Sequence, residues 1–320
     1  MSKGYTQAEP RTIIMTFIFR LGFALLQAVL TFATPIPSYS RTNTTGFGTI
    51  TTTTNGSITR AIFNNPPINL CDERLIRDLY DFLTAIEDAP EPPKVVIFSS
   101  ADDAFFMPQI DVHILSTSEP YKNATYSAEL LGLDVKTVHL LRVLPTIFIG
   151  EVNGLATAAG NEFLVQCDMR FAGPRARLGA LEVANGLLHG NGGAQYLTHL
   201  IGPGRALEYL LTVNDVDAKT AEQYGWVNRA YGSEAELKRE VDAIAARIAL
   251  WDIGAINATK ASVRENDPQQ AGLDRDLERF EALLGTKSTQ DAIKRFLKLS
   301  QDQTRGWFEL GLDESWDILL

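Results

Sequence analysis

Hydrophobic and polar residues alternate along the chain with two periods, one typical of strands and one typical of helices. Ile50–Thr54 and Ile58–Phe63 flank Asn55-Gly56, and this dipeptide between two such runs predicts a β-hairpin. The apolar runs Val95–Ser99 and Ile147–Val152 predict two buried strands. The first half of the chain is therefore rich in strands.

Helical periodicity separates these strands. Residues Asp72–Glu87 place their apolar side chains on one stripe, with Asp72 near the N-terminus as a capping residue. A second helix is predicted from Ala124 to Leu144, where Pro145 stops it. Because strands and helices alternate, we expect βαβ units and an α/β fold with a largely parallel sheet.

From Gly204 onward the pattern is helical only. No linker rich in Gly, Ser or Pro separates this part from the preceding one, so the two are expected to form one folding unit. The predicted helices are Ala206–Thr212, Ala218–Tyr224, Glu234–Trp251, Ala255–Arg264, Arg275–Leu284 and Gln290–Thr304.

Residues 1–45 have a different pattern, in which basic residues precede or interrupt an apolar run that ends at Pro35. The stretch Leu21–Ala33 is shorter than the ~20 apolar residues that a membrane helix needs. It resembles the apolar region of a secretory signal peptide. An organelle-targeting sequence, a poor membrane anchor that tolerates Arg20, and an extension with neither role are the alternatives. In each case the segment is expected to lie outside the fold.

Composition limits the classes of function. The chain has 320 residues, 45% of them hydrophobic, and a net charge of −10. This charge, without a local basic patch, argues against a nucleic-acid partner. Cys71 and Cys167 are isolated, and the 4 histidines form no pattern typical of metal ligands. Neither a disulfide framework nor a metal site is therefore predicted.

The candidate chemistry lies between Gly150 and Gly193. Small residues follow the buried strand from Gly154 to Gly160, and a helical pattern then begins with Glu162 near its start. The first N–H groups of such a helix are free to stabilise a developing negative charge. A second carboxylate, Glu182, lies in an otherwise apolar segment, where a buried carboxyl group can act as a general acid. Two carboxyl groups beside N–H donors can transfer protons next to a polarised carbonyl.

An ordered set of short motifs extends this interpretation: Asn64–Asn69, Val95–Phe98 with Ala104–Asp111, Val152–Glu162 with Cys167-Asp168, Gly190–Gly193, and Leu210–Val227. They resemble motifs of the enoyl-CoA hydratase/isomerase (crotonase) superfamily, among them N-R-P-x-x-N, F-x-A-G-A-D and V-N-G-x-A-x-G-G-G-x-E. The similarity extends from about Gly46 to the C-terminal region. A single match would carry little weight, whereas several matches in the same order are specific.

The resemblance implies a fold, a substrate class and an assembly. The fold is a crotonase-like ββα spiral core over residues 46–203, with a helical C-terminal region at 204–320 that packs trimers. The substrate is an acyl-CoA thioester, so coenzyme A is part of the substrate and no separate cofactor is expected. The resemblance also implies a homotrimer or a dimer of trimers. No nucleic-acid partner is expected, and any membrane contact would be through the N-terminal segment. The family indicates a mitochondrial or other intracellular acyl-CoA compartment, whereas the N-terminus resembles a signal peptide or anchor.

The resemblance also implies how the substrate is held. Two backbone N–H groups, those of Ile110 and Ala159, are expected to bind the thioester oxygen as it becomes an enolate. Met107, Gln109, Asp111 and Gly160 are expected to contact the substrate. The loop departs from the family pattern, because Met107-Pro108-Gln109-Ile110 replaces a run of small residues and reshapes the acyl pocket. Arg60 and Lys94 are candidates for the coenzyme A phosphates.

Roles for the two carboxylates follow from the same resemblance. Glu162 is expected to activate water as a general base, and Glu182 to protonate the carbon alpha to the thioester. Asp111 and Asp168 are expected to cap or bind backbone within their loops. His189 is expected to be a turn residue.

Several activities are compatible with these residues. The first is reversible hydration of a 2-enoyl-CoA, for which both glutamates are needed. The second is double-bond isomerisation, which needs only one well-placed carboxylate. The third is a degenerate crotonase that binds acyl-CoA or a partner without turnover, as the altered loop and the Ala158-Ala159 pair in place of glycines suggest. Thioester hydrolysis is a minor fourth possibility.

Overall fold

The computed structural model describes residues 47–118 and 124–311, and for residues 124–126 it describes the backbone only. The apolar N-terminal segment 1–45 lies outside these residues, so its predicted targeting or anchoring role stays a prediction. Among the described residues, no helix combines the length and apolarity needed to cross a bilayer.

A six-stranded sheet forms the centre of the fold. Its strand order is β1-β2-β3-β5-β7-β10, and every neighbouring pair except β1 and β2 is parallel. The strands are β1 (Ile50–Asn55), β2 (Ile58–Phe63), β3 (Val95–Ser100), β5 (Ile147–Val152), β7 (Met169–Ala172) and β10 (Arg229–Ala230). The predicted hairpin, the two buried strands and the largely parallel sheet are therefore confirmed.

The second sheet has four strands in the order β4-β6-β8-β9. It contains β4 (Phe105–Met107), β6 (Leu155–Thr157), β8 (Arg177–Gly179) and β9 (Val216–Asp217). The expectation that the chain is purely helical after Gly204 is wrong, because β9 and β10 both follow that residue. Each has only two residues, which is too short to show the alternation that reveals a strand.

The helices agree with the periodicity of the sequence, with bounds that differ by a few residues. They are α1 (Glu73–Glu87), α2 (Ala124–Val143), α3 (Ala159–Leu164), α4 (Gly193–Ile201), α5 (Pro203–Thr212), α6 (Ala218–Tyr224), α7 (Glu234–Ala249), α8 (Ile253–Arg264), α9 (Gln270–Leu284), α10 (Lys287–Leu299) and α11 (Trp307–Leu310). Asp72 caps α1 as expected, since its side chain accepts a hydrogen bond from the Leu75 N–H.

Aromatic side chains fill the core between the central sheet and α3. Phe63, Phe98 and Phe148 form a stacked row, and Phe163 of α3 meets both Phe63 and Phe98 edge to face. These rings are buried. Because Phe163 directly follows Glu162, the packing of this ring against the sheet fixes the helix that carries the candidate carboxylate.

A buried charge cluster ties the central sheet to α8. Asp168 accepts the Phe148 N–H at 2.8 Å and also faces Lys260 Nζ at 2.9 Å and Arg264 Nη2 at 2.7 Å. Asp168 was expected to bind backbone within its loop; the N–H that it binds belongs instead to Phe148 of β5. Both cations are largely enclosed, with Lys260 only 3% exposed at its side chain.

An Asp168→Asn variant should be strongly destabilised, because it leaves the Lys260 and Arg264 charges without their shared carboxylate. Removing one partner of a buried ion pair costs about 3–5 kcal/mol, so the urea midpoint should fall steeply. Asp291→Asn is the control, since Asp291 and its partner Lys287 are both exposed and an exposed ion pair contributes little to stability. Equal midpoints for the two variants would contradict this view of the cluster.

Candidate active site

The strand-to-helix turn between β6 and α3 presents free N–H groups. Ala158 has φ 44° and ψ −122°, a conformation that is strained for a residue with a side chain. Its carbonyl accepts the first helical bond, from Glu162. The N–H of Ala159, at the first position of α3, has no acceptor among the described residues. This donor is available to a ligand.

The loop after β4 presents a second free donor. Cys71 donates to the Gln109 carbonyl and accepts from the Asp111 N–H, so the backbone between these two residues is held on both sides of Ile110. The Ile110 N–H is left without an acceptor in the described part of the chain. Ile110 and Ala159 line the same cavity. That their N–H groups bind one substrate oxygen stays a prediction.

Gly160 lets this loop approach α3. A Cβ atom built at Gly160 would lie 1.8 Å from the carbonyl oxygen of Met107, which is far inside van der Waals contact. The glycine therefore sets the spacing between the two elements that carry the free N–H groups.

A Gly160→Ala variant should separate those elements and lose both stability and activity. Overpacking against backbone costs about 1–3 kcal/mol, and the two free N–H groups would move apart. Gly204→Ala provides the matched control, because nothing lies within 4 Å of a Cβ there. Thermal unfolding and the rate of turnover should both fall for the first variant and be retained for the second. A fully active Gly160→Ala protein would show that the spacing is not critical.

The cavity has a volume of about 600 Å³ and mostly apolar walls. Its apolar lining comes from the loop after β4, from α2 and from the C-terminal helices: Ile110, Val112, Ile114, Leu115, Leu131, Val135, Leu181, Leu187, Leu277, Phe280, Leu284 and Ile293. Gln109, Asp134, Glu162, Glu182 and Asn191 contribute polar groups to the lining. Such a space suits an apolar chain that carries a polar head.

The two predicted carboxylates meet at one histidine ring. His189 Nδ1 lies 2.9 Å from Glu182 Oε1 and 3.5 Å from Glu162 Oε1. Each glutamate side chain is 10% exposed and the histidine side chain is 1% exposed. Glu162 comes from the first turn of α3, and Glu182 begins a short 3-10 helix, Glu182–Asn185. Residues 20 positions apart in the sequence thus form one buried pair.

Burial changes the acidity of this site. It raises the pKa of Glu162, with His189 acting in the opposite direction and Glu182 and Asp134 raising it further. Burial also raises the pKa of Asp134 to about 6, although Asn191 Nδ2 donates to this carboxylate at 2.8 Å. A proton is therefore held within the group of carboxylates at neutral pH, which a general acid requires.

The ring of His189 is fixed from its other side. Asn161 Nδ2 lies 3.0 Å from His189 Nε2, and Asn161 Oδ1 accepts from Trp226 Nε1 at 2.9 Å. Glu162, Glu182 and His189 lie close enough together to hold a metal ion. The Asn161 amide, however, leaves the hydrogen of a neutral ring on Nδ1, which is the nitrogen that would have to ligate. This arrangement does not fit a metal.

The remaining predicted residues lie around the cavity. Gln109 lines it, whereas Met107 and Gly160 form the close contact beside it. Asp111 caps a 3-10 helix through the His113 N–H and accepts from Gln303 Nε2. Substrate contact by these four residues stays a prediction.

Neither cation considered for the coenzyme A phosphates is free. Arg60 pairs with Glu151 and Asp242. Lys94 donates to the carbonyl groups of Ala249 and Trp251. The phosphate-binding residues are therefore to be sought elsewhere.

Some site residues were missed by sequence reasoning. Asp134 is a charged residue on an otherwise apolar face of α2, and this position was a usable signal. The sequence predicts His189 as a turn residue, whereas its ring lies next to both glutamates. Gln303 lies far along the chain yet accepts from the Val112 N–H at 2.9 Å and so supports the loop that carries Ile110. Nothing in the local pattern indicates that contact.

Comparison with known proteins agrees with this geometry. A profile described as enoyl-CoA hydratase/isomerase matches residues 53–304. The chain belongs to this family. It is an enzyme of the enoyl-CoA hydratase/isomerase class, and its crotonase-like fold, with helices at the C-terminus, is confirmed.

Curated relatives and solved structures carry related names. A crotonyl-CoA hydratase of Syntrophomonas wolfei is 29% identical over 235 residues, 72% of this chain and 87% of the relative. A short-chain-enoyl-CoA hydratase of Clostridium acetobutylicum is 28% identical over 76% of this chain and 92% of its own length. A Streptomyces avermitilis structure, provisionally named an enoyl-CoA hydratase, is 38% identical with a TM-score of 0.76, covering 86% of this chain and 99% of that one.

Proposed function

We propose that this enzyme adds water reversibly across the 2,3 double bond of an acyl-CoA thioester. The observation that carries the proposal is the buried pair Glu162 and Glu182, which meet at His189 in the wall of the cavity. The names of the relatives support the same reaction and substrate class.

Hydration divides into two proton transfers. One carboxylate takes a proton from water as the oxygen bonds to C3, and the π electrons move onto the thioester oxygen as an enolate. The other carboxyl group delivers its proton to C2 as the enolate collapses. A positioned acid or base contributes about 10²–10⁴-fold to the rate. Both parts need a pair that holds a single proton, which agrees with the raised pKa of Glu162.

The free N–H groups of Ile110 and Ala159 are suited to stabilise the enolate oxygen. Removal of one such donor typically costs about 2.7–4 kcal/mol in the transition state. Backbone donors do not depend on the side chain, so the alanine and isoleucine that stand at these positions can supply them. The apolar walls would hold the acyl chain.

The proposal is tested by the ultraviolet absorbance of the conjugated enoyl thioester in crotonyl-CoA. With the full-length protein the absorbance should decay to an equilibrium value. The same end point should be reached from 3-hydroxybutyryl-CoA, because the reaction is reversible. A longer 2-enoyl-CoA should be tried alongside, since the cavity is large. Absorbance that stays constant for every enoyl-CoA while acyl-CoA binds would indicate a binding protein instead.

A further inference from the structure

The amide side chain of Gln303 contacts the loop on both sides of Ile110. Its Oε1 accepts from the Val112 N–H at 2.9 Å, and its Nε2 donates to Asp111 Oδ1 at 2.8 Å. Gln109 Nε2 lies 3.5 Å from the same Oε1 atom. One side chain from the C-terminal region therefore contacts the residue before Ile110 and the two residues after it.

The orientation of this amide is determined by its partners. The Val112 N–H can only donate, so the atom that it meets is the oxygen. The amide nitrogen then faces the Asp111 carboxylate, which accepts. Gln303 is 4% exposed, and the Val112 N–H has no other acceptor among the described residues. Loss of the amide would leave the N–H of a buried residue without a partner, which is costly.

The backbone that carries this amide is strained. Gln301, Asp302 and Gln303 have φ values of 49°, 63° and 60°, and residues other than glycine rarely take this left-handed conformation three times in a row. The turn directly follows α10, and the Asp302 N–H donates to the Leu297 carbonyl at 2.8 Å. Strain of this kind persists where the surrounding contacts over-determine it, and it clusters at functional sites. Here the strained turn places a buried amide against the loop that carries Ile110.

The free N–H of Ile110 belongs to the same peptide unit as the Gln109 carbonyl. In a planar trans peptide the N–H and C=O groups point in opposite directions. The Gln109 carbonyl accepts from the Cys71 N–H at 2.9 Å, so the Ile110 N–H is turned away from Cys71. Rotation of this peptide unit would require its neighbours Gln109 and Asp111 to move, and both of them contact Gln303.

Backbone donors stabilise a developing oxyanion best when they are held in place before the substrate binds. We propose that Gln303 is a positioning residue, which holds the loop so that the Ile110 N–H can polarise the thioester carbonyl in the cavity. Gln303 does not belong to the described lining of the cavity, so it acts through Ile110. This inference rests on the proposed hydration, in which the Ile110 N–H stabilises the enolate oxygen.

Titratable groups also face this amide. His113 Nδ1 lies 2.9 Å from Asp111 Oδ1, and its Nε2 lies 2.9 Å from Oδ1 of the exposed Asp302. Glu309 Oε1 lies 3.3 Å from Gln109 Nε2, and burial raises the pKa of Glu309 to about 8. The amide of Gln303 is neutral, so it fixes the loop without adding a charge to this group.

The first test is the infrared carbonyl band of butyryl-CoA, isotopically labelled at the carbonyl carbon and bound to the full-length protein. Donors that polarise a carbonyl group lower its stretching frequency, and this thioester has no double bond to hydrate. In the unaltered protein the band should lie below that of the free thioester. In Gln303→Met, which has a side chain of similar length without the amide, the band should return toward the free value. With crotonyl-CoA, kcat should fall by about 10²-fold, because a donor is misplaced.

Gln290→Met is the matched control. Gln290 of α10 is also a buried glutamine, whose Oε1 accepts from the Thr117 N–H at 2.8 Å and whose Nε2 donates to the Leu115 carbonyl at 3.1 Å. These contacts lie at the far end of the 3-10 helix Val112–Leu115. Both variants should lose stability, whereas only Gln303→Met should move the carbonyl band and lower kcat. A band that moves equally in both variants, or in neither, would overturn the proposal.

Gln303→Glu is a second, milder variant. A protonated carboxyl group can accept from Val112 and donate to Asp111 as the amide does, whereas an ionised one can only accept. At low pH its carbonyl band should match that of the unaltered protein, and the band should move toward the free value as the pH rises. A band equal to that of the unaltered protein at every pH would overturn the proposal. Failure of the unaltered protein to hydrate any enoyl-CoA, with the lowered band present, would instead refute the proposed function and support the positioning of the Ile110 N–H.

Discussion

Replacement of Glu162 by glutamine should lower kcat for crotonyl-CoA hydration by about 10²–10⁴-fold. Glutamine has nearly the same shape but can neither give up nor accept the proton that the reaction transfers. The thermal midpoint should stay equal or rise, because the variant no longer buries a carboxyl group whose pKa is raised by burial. KM should change little if, as proposed, the cavity walls and the backbone donors hold the substrate.

Glu281→Gln is the matched control for this variant. Glu281 also lines the cavity but is exposed to solvent. Its replacement removes a carboxylate from the same region without touching the buried pair. Turnover close to that of the unaltered protein is expected. A Glu162→Gln protein as active as the control would contradict the catalytic role of Glu162.

The second large effect is expected for Glu182→Gln, with a loss of hydration of similar size. Hydration needs both a base for water and an acid for C2, so a single remaining carboxylate is not sufficient. The two single losses should not add in the double variant, because the pair acts as a unit. Circular dichroism spectra and acyl-CoA binding should be retained, since the side chain is replaced by one of equal size.

The turnover of the two single glutamine variants, taken together, distinguishes the possible activities. An isomerase would keep substantial turnover when one of the two is replaced, because double-bond migration needs one carboxylate. A protein that only binds acyl-CoA would be insensitive to both changes. Hydration that survives Glu182→Gln within a few-fold of the unaltered rate would therefore contradict the two-carboxylate account.

Much of the fold was predictable because its signals are local. Asn55-Gly56 specifies the hairpin, and Gly56 takes the positive φ of 61° that such a turn requires. Asp72 caps α1 through a hydrogen bond to a residue three positions away. The short strands β9 and β10 were missed because their pairing partners, β8 and β7, are distant in sequence. Pairing between strands that are distant in sequence produces no periodic pattern of hydrophobic residues from which it could be predicted.

The site was predictable only in part, for a similar reason. The motifs place Glu162 and Glu182 directly, and the structure brings them together. The position of His189 depends on Asn161, which in turn accepts from Trp226 Nε1, and these contacts exist only in the folded chain. Part of the cavity lining comes from α9 and α10. In the sequence, the apolar residues of these helices cannot be told from ordinary core residues. The predicted trimer, the compartment and the domain boundaries remain predictions.

The central claim is that this protein hydrates an enoyl thioester with one buried carboxylate pair. The most direct measurement is mass spectrometry of crotonyl-CoA incubated with the full-length protein in deuterium oxide that carries a heavy oxygen isotope. The account predicts 3-hydroxybutyryl-CoA with solvent oxygen at C3 and one carbon-bound deuterium at C2, formed about 10²–10⁴-fold more slowly by either glutamine variant. Deuterated enoyl-CoA without added oxygen, or labelled free acid with released coenzyme A, would contradict it.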